Sequence, residues 1–470
     1  MNWLLTTCAE PVLSPFFTDE KRPPLGIGFL MGVLRRAGHR VYFIDNYLKP
    51  SDFLETDYLT RHQIDAVGIY MNTVCLHDGL RMINKLVRLR QKGAWRGKIV
   101  VGGPHPSVLP ESIPEEVDHV VIGEGESAIL DIVEGRAERI VQKPLIHDLD
   151  SLPPPAWDDF LDLPYDWTSD LLSAKPVVSM NTSRGCPYQC AFCSVQSVWG
   201  RTYRFFSPDW IIENIRYLIS RGGCKAIYFR EDNFTASRKR VIEFCAKLKQ
   251  AGLDLQWLCE SRVDTLDREL IKLMHDGGCR ALYLGVESGS QRLLDFVDKG
   301  ITTGQIEAVF AWCRETGIKT YASFIVGLPT ETAADREQSE SLRRKIKPDS
   351  FSNNVFVGMP TSRLYQYVLD NKLSCYVDDR AMAYLDGHDQ MVETYYGGNE
   401  ARKVPFPHCG HYVTSRRLLE EGKRFQALAK AVQAVSRHPS SSRYWRQMVK
   451  TLLPKAMLDM IEKKKNGRDS

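Results

Sequence analysis

The sequence predicts an α/β chain with two parallel sheets. An N-terminal Rossmann-like, doubly wound sheet comes first, then a partial (β/α)6 barrel, then a small, mainly helical C-terminal region. Three observations carry this expectation. Short apolar runs alternate with helical patterns over residues 1–145. Three consecutive prolines, Pro153 to Pro155, then interrupt both periodicities within a linker at 146–175. A second alternation runs over 176–372, and the pattern dissolves over 373–470.

In the first segment, NWLLTTC, RVYFID, DAVGIY, KIVVGG and DHVVIG read as strands. GIGFLMGVLRRAGH and LHDGLRMINKLVRLRQ between them have helical spacing. Glycines end the fourth and fifth strands, where open α/β sheets bind ligands. In the second segment the strand candidates are VVSMN, AIYFR, LQWLCE, ALYLGV, YASFIVG and SFSNNVFVG. An active site on such a barrel lies at the C-terminal strand ends.

Composition narrows the function. The net charge of +4 on 470 residues does not mark a nucleic-acid binder. No apolar run is long enough to span a bilayer, and MNWLLTTCAE lacks the features of a signal peptide, so a cytoplasmic protein is expected. Twelve cysteines are many for such a chain. Nine are scattered, mostly in apolar stretches such as Cys245 in VIEFCAKL, and read as small buried hydrophobes.

The other three, Cys186, Cys190 and Cys193 in NTSRGCPYQCAFCSVQSVWG, are tightly grouped after the first barrel strand. Thiolates are the ligands that iron-sulfur clusters take. Three of them leave one iron of a four-iron cube open. The competing readings are a zinc site and three structural cysteines. Structural zinc takes four ligands, and no CxxC or HxxxH partner is evident.

The C-x3-C-x2-C spacing, with Phe192 before the third Cys, resembles the signature of radical S-adenosylmethionine (SAM) enzymes, over about residues 176–372. The resemblance implies a [4Fe-4S] cluster whose open iron chelates SAM. Reductive cleavage then gives methionine and a 5′-deoxyadenosyl radical, which takes hydrogen from substrate. It also implies SAM contacts at successive strand ends: Glu231, Asp232 and Asn233 toward the methionine end, Arg262 on the carboxylate, Glu287 and Ser288 on the ribose, and Gly327 by the adenine. Many relatives pair two aspartates where this chain has Glu231-Asp232. A helix N-cap or a surface ion pair is the bland alternative for each.

Residues 22–45, with VVGGPHPSVLPE and VIGEGE, resemble the cobalamin-binding domain of one radical SAM class. Gly102, Gly103, Gly123 and Gly125 leave room for a large ring or its nucleotide tail, and His105 lies in the same loops. The D-x-H-x-x-G motif is absent, so a cobalamin held here is expected to lack a lower His ligand. A plain helix-sheet scaffold with tight turns is the alternative.

The functional expectation is cobalamin-dependent C-methylation of a small molecule, one SAM supplying the methyl group by way of cobalamin and another the radical. The alternatives are a cobalamin-free radical dehydration, epimerisation, oxidation or rearrangement of an aminosugar-like precursor, and an iron-sulfur sensor without enzyme activity. The stretch 376–400 holds Asp378, Asp379, Asp386, Asp389, Glu393 and Glu400 with Tyr376, Tyr384, Tyr395 and Tyr396. It reads as a solvated loop or as a cover for a cationic, polyhydroxylated substrate. The basic tail IEKKKNGRDS reads as a frayed end or a dock for an electron donor such as flavodoxin or ferredoxin.

Overall fold

A computed structural model describes residues 1–9, 20–49, 54, 57–378 and 380–396, with a few positions of 426–432. The chain divides into two compact units. The larger contains both parallel sheets. The other, described by itself, contains an antiparallel hairpin of Ser374–Val377 and Ala383–Leu385, then a helix at His388–Tyr396. Within the hairpin, Tyr376 and Tyr384 stack, and Asp378 accepts from Arg380 and Tyr384. Of the acidic, Tyr-rich stretch, Asp379, Glu400 and the side chains of Asp389, Glu393 and Tyr396 lie outside the described residues, as does the basic tail.

The first sheet is formed by β1 (Asn2–Thr7), β2 (Arg40–Ile44), β3 (Ala66–Tyr70), β4 (Lys98–Gly102), β5 (His119–Ile122) and β6 (Ile140–Gln142). Its order is β2-β1-β3-β4-β5-β6, all parallel. The order reverses at β1, so a crevice opens over the carboxyl ends of β1 and β3.

The second sheet follows with β7 (Val177–Met180), then a short ribbon of β8 (Ser183–Arg184) and β9 (Arg204–Phe205), then β10 (Ala226–Phe229), β11 (Gln256–Ser261), β12 (Cys279–Glu287), β13 (Lys319–Val326) and β14 (Ser350–Val355). The six long strands are parallel in the order β14-β13-β12-β11-β10-β7. Among the described residues β14 does not pair with β7, so the barrel is partial. One strand face is apolar and buried against helices: Val178, Ile227, Cys259, Leu282 and Leu284 belong to a large core. The other face carries Ser179, Tyr228, Glu260, Tyr283 and Tyr321; register sets Ser179 beside Tyr228, and, one layer further along, Glu260 beside Tyr283 and Tyr321.

The two sheets share that core. Phe29, on the helix Leu25–Arg36, stacks with Phe206 and Trp210 at 5.6 and 6.3 Å between ring centres. The same helix has two glycines where the proline-rich segment crosses it. A Cβ at Gly28 would lie 2.8 Å from Phe160, and one at Gly32 2.7 Å from the Pro154 carbonyl. The Pro-rich stretch is therefore docked, with the Ala156 N–H on the Gly28 carbonyl at 3.1 Å. Fixed φ and missing donors suit these prolines to such a strap.

A buried ionic cluster is the second tie. Arg184 donates to Glu124 at 2.6 Å and to Glu126 at 2.5 Å, and Arg204 donates to Glu124 at 2.9 Å. All four side chains are at most 8% exposed. Removing one partner of such a group leaves charge buried without compensation. Glu124→Ala is expected to cost about 3–5 kcal/mol in urea unfolding followed by tryptophan fluorescence. A loss under about 1 kcal/mol, the scale of exposed pairs, would contradict that role.

Candidate functional site

The cysteine loop springs from the β8–β9 ribbon at the mouth of the barrel. Thr182 precedes the ribbon and is held by Arg240, whose Nη2 donates to the Thr182 carbonyl at 3.1 Å. Arg184 is fixed by Glu124 and Glu126. Gly185 follows at φ +84°, and a Cβ there would lie 2.3 Å from the Thr202 carbonyl. Only glycine allows the ribbon to close and the loop to leave in this direction.

Cys186, Cys190 and Cys193 are half-buried and free of disulfides. Burial pushes the Cys186 thiol up, with Asp232 and Cys190 adding to it, and raises Cys193 to about 11. The three thiols are thus near enough to feel one another. Yet among the described residues no three His, Cys, Asp or Glu side chains converge as ligands of one ion. Of the scattered cysteines, Cys8, Cys75, Cys224, Cys245, Cys259, Cys279 and Cys313 are buried, as small hydrophobes are. Cys375 is exposed, and Cys409 lies outside the described residues.

Arg262 backs the triad. Its Nη1 donates to the Cys190 sulfur at 3.1 Å, and its guanidinium lies 3.8 Å from the Tyr188 ring centre. Its Nε and Nη2 fork onto Asp264 at 2.9 and 3.0 Å, and Nη2 also reaches the Lys299 carbonyl. The two-pronged face expected to take a SAM carboxylate is therefore occupied by Asp264, and Arg262 stands as a brace for the loop.

The carboxylates after β10 differ in their surroundings. Glu231 is 5% exposed; its Oε1 accepts from the Thr182 hydroxyl at 2.6 Å, while Oε2 has no hydrogen-bond partner. Burial raises its pKa. Asp232 opens onto the cavity, and burial, with Glu231 beside it, raises it to about 6. Asn233 is fully buried, accepts from Thr235 at 3.2 Å and leaves its Nδ2 unpartnered. Glu287 holds a left-handed backbone, φ +62°, and pairs with Lys299 at 2.6 Å. The Lys299 ammonium also lies 5.8 Å from the Phe192 ring centre, so the aromatic before Cys193 is tied to the end of β12. Ser288 is buried beside Ser339, and the Gly327 N–H donates to Glu331 at 2.6 Å.

A cavity of about 710 Å³ lies between the two sheets. Gly102, Gly103, Gly123 and Gly125 line one side; Ser179, Arg230, Glu231, Asp232 and Glu260 line the other. Gly103 sits at φ +111°, where a Cβ would lie 2.7 Å from the Met71 carbonyl. Room along a glycine edge fits a large ligand there, and Ser179 and Glu231, which line the cavity, each leave one buried oxygen without a hydrogen-bond partner. His105 does not line this cavity. It is fully buried, with Nδ1 3.2 Å from the Thr73 hydroxyl and Nε2 2.9 Å from the Ser112 hydroxyl. Both ring nitrogens have hydroxyl partners within the first sheet's loops.

Sequence reasoning missed Glu124, Glu126, Arg184 and Arg204, and also Arg230 and Glu260, which line the cavity. A signal existed for the first group. GEGE places two acids beside the glycines, and SRGC places a cation just before the first ligand.

Comparison with known proteins follows the same division. The radical SAM superfamily model matches residues 180–342, and the B12 binding domain model matches residues 19–133. An uncharacterized methyltransferase of Pyrococcus horikoshii is 31% identical over 388 residues, 77% of this chain and 82% of the relative. The anaerobic magnesium-protoporphyrin IX monomethyl ester cyclase of Rubrivivax gelatinosus is 27% identical over 74% of this chain and 66% of its own length. The radical SAM methyltransferase TsrM of Kitasatospora setae, solved with cobalamin and a [4Fe-4S] cluster, has the same fold, with a TM-score of 0.63 at 17% identity over 80% of this chain and 75% of that one. No helix of the described residues is long and apolar enough to cross a membrane. The chain therefore belongs to the radical SAM superfamily, in the group whose barrel follows a B12 binding domain and whose cofactors are a [4Fe-4S] cluster, S-adenosylmethionine and cobalamin.

Proposed function

We propose that the protein is a cobalamin-dependent radical SAM methyltransferase acting on a carbon of a small molecule. One observation carries the reading: a single cavity is bounded by the glycine edge of the first sheet and by Asp232 and the barrel ends beside the cysteine triad. When bound, the cluster with SAM supplies a hydrogen-abstracting radical, and cobalamin supplies a transferable methyl group. The similarity to a relative described as a methyltransferase supports the same outcome.

The chain's own residues do the positioning. Cys186, Cys190 and Cys193 would hold the cluster, which when loaded would offer its remaining coordination to SAM. Arg262 keeps the Cys190 sulfur in place through its hydrogen bond and its fork on Asp264. Asp232 accepts from the SAM ammonium, a charge-assisted bond that offsets the desolvation now raising its pKa. Gly102, Gly103, Gly123 and Gly125 leave the space that cobalamin fills. Val198 and Trp199, on the short helix after the triad, line the cavity and would limit water near the reacting atoms. The reducing electron comes from a partner such as flavodoxin or ferredoxin.

Anaerobically reconstituted protein is expected to cleave SAM to 5′-deoxyadenosine under reduction. Cys190→Ala should abolish that cleavage, and retained cleavage would refute the triad. Gly102→Leu tests the other half. A Cβ at Gly102 meets only Val121, at ordinary contact distances of 3.5 Å and beyond, so the fold should survive while the side chain fills the cavity. The variant should keep its iron-sulfur absorbance and lose the cobalamin spectrum; full cobalamin loading would refute the placement. Asp232→Asn should raise the KM for SAM about tenfold. An unchanged KM would remove Asp232 from the SAM site.

A further inference from the structure

The three thiols of the cysteine loop do not share one environment. Cys186 and Cys193 lie by the neutral backbone N–H groups of Tyr188 and Val195. The Cys190 sulfur accepts from a cation, with Arg262 Nη1 donating to it at 3.1 Å. Only 6% of that side chain is exposed, and it is held from several directions. Asp264 takes Nε and Nη2 at 2.9 and 3.0 Å, and the Lys299 carbonyl also accepts from Nη2. The Tyr188 ring centre lies 3.8 Å from the central carbon of the guanidinium. Cys186 feels the same positive charge.

From this arrangement we infer that Arg262 is a positioning residue that sets the reduction potential of the cluster. Its charge on the Cys190 sulfur makes the cluster easier to reduce, and Asp264 moderates that effect. The inference rests on the assignment of the three cysteines to the cluster. Free, half-buried thiols close enough to feel one another are the donor set such a cluster takes. It does not depend on whether a methyl group is transferred.

The physical argument is one of charge. Reduction adds one electron to the cluster and its sulfur ligands. Hydrogen bonds to those sulfurs and nearby charges are among the levers that fix the potential. A cation at the sulfur stabilises the reduced, more negative form more than the oxidised form. Burial keeps the interaction from being screened by water. Asp264 acts in the opposite sense, since its carboxylate is forked on the same guanidinium. The fork also fixes the guanidinium plane, so that Nη1 is aimed at Cys190. A lysine could not make the fork and the sulfur contact together. A brace acting by shape alone gives neither substitution a particular sign. The electrostatic role gives the two residues opposite signs.

The test uses the full chain, reconstituted anaerobically with iron and sulfide and kept free of SAM. It is titrated with titanium(III) citrate, and the reduced cluster is read by electron paramagnetic resonance. Arg262→Gln keeps an N–H donor and removes the charge. Its constant for reduction should fall about tenfold, a shift of the midpoint to lower potential by about 59 mV for a one-electron couple. Asp264→Asn keeps the shape and removes the opposing charge, and should shift the midpoint upward by a similar amount. Iron and sulfide content should match the unsubstituted protein in both. An unchanged midpoint in Arg262→Gln, or shifts of the same sign in the two variants, would overturn the inference. If Arg262→Gln does not hold a cluster, Asp264→Asn decides alone, and a midpoint unchanged or lowered there overturns the inference equally. An error in the cysteine assignment shows separately, as a cluster retained in full by Cys190→Ala.

Discussion

The buried clasp of Arg184 and Arg204 on Glu124 and Glu126 is the constraint on which the site depends. Glu124 and Glu126 flank Gly125 at the end of β5, in the edge expected to hold cobalamin. Arg184 lies two residues before Cys186. The same guanidinium that completes the first sheet's loop therefore sets where the cluster loop begins. Desolvating four charged groups is costly, and a hydrophobic contact of equal volume would stabilise at least as well. What the ionic version adds is direction, because a fork that must satisfy two carboxylates tolerates little rotation. Arg204 shares Glu124 and also donates to the Ile146 carbonyl at 2.6 Å, so the linker is tied to the same point.

The core does the rest of the alignment. The helix Leu25–Arg36 belongs to the first sheet's fold, yet Phe29 packs on Phe206 and Trp210 of the barrel. Its glycine notch takes the proline strap at Pro153 and Pro154. Apolar burial, which is non-directional, supplies cohesion. The ionic clasp and the glycine notch supply register. On the proposed function, two large cofactors meet at one substrate and need both, because a small error in placement costs a great deal of rate.

Much of this was legible in the sequence. The β/α alternation marked both sheets, since parallel strands buried on both sides read as apolar runs. The cysteine triad stood out because spacing within one loop is a local property. The glycine edge was legible because glycine has few other reasons to end successive strands. Other features depend on partners distant in the chain. Arg262 looked like a fork for a carboxylate, and only the fold shows Asp264, Cys190 and Lys299 around it. The partners of His105, Thr73 and Ser112, could likewise not be read from its loop. Glu260 drew no notice because alternation marks which residues share a strand face, and not which hydroxyl stands beside a carboxyl on the next strand.

The central claim is that one chamber brings the methyl donor and the radical source to one substrate. It is tested most directly by anaerobic turnover with SAM carrying a deuterated methyl group, using protein with and without cobalamin and reading products by mass. The account expects a product that gains the labelled methyl group, formed only when cobalamin is bound and the triad is intact. A product that has lost water or hydrogen and gained no label, formed equally well without cobalamin, would contradict it.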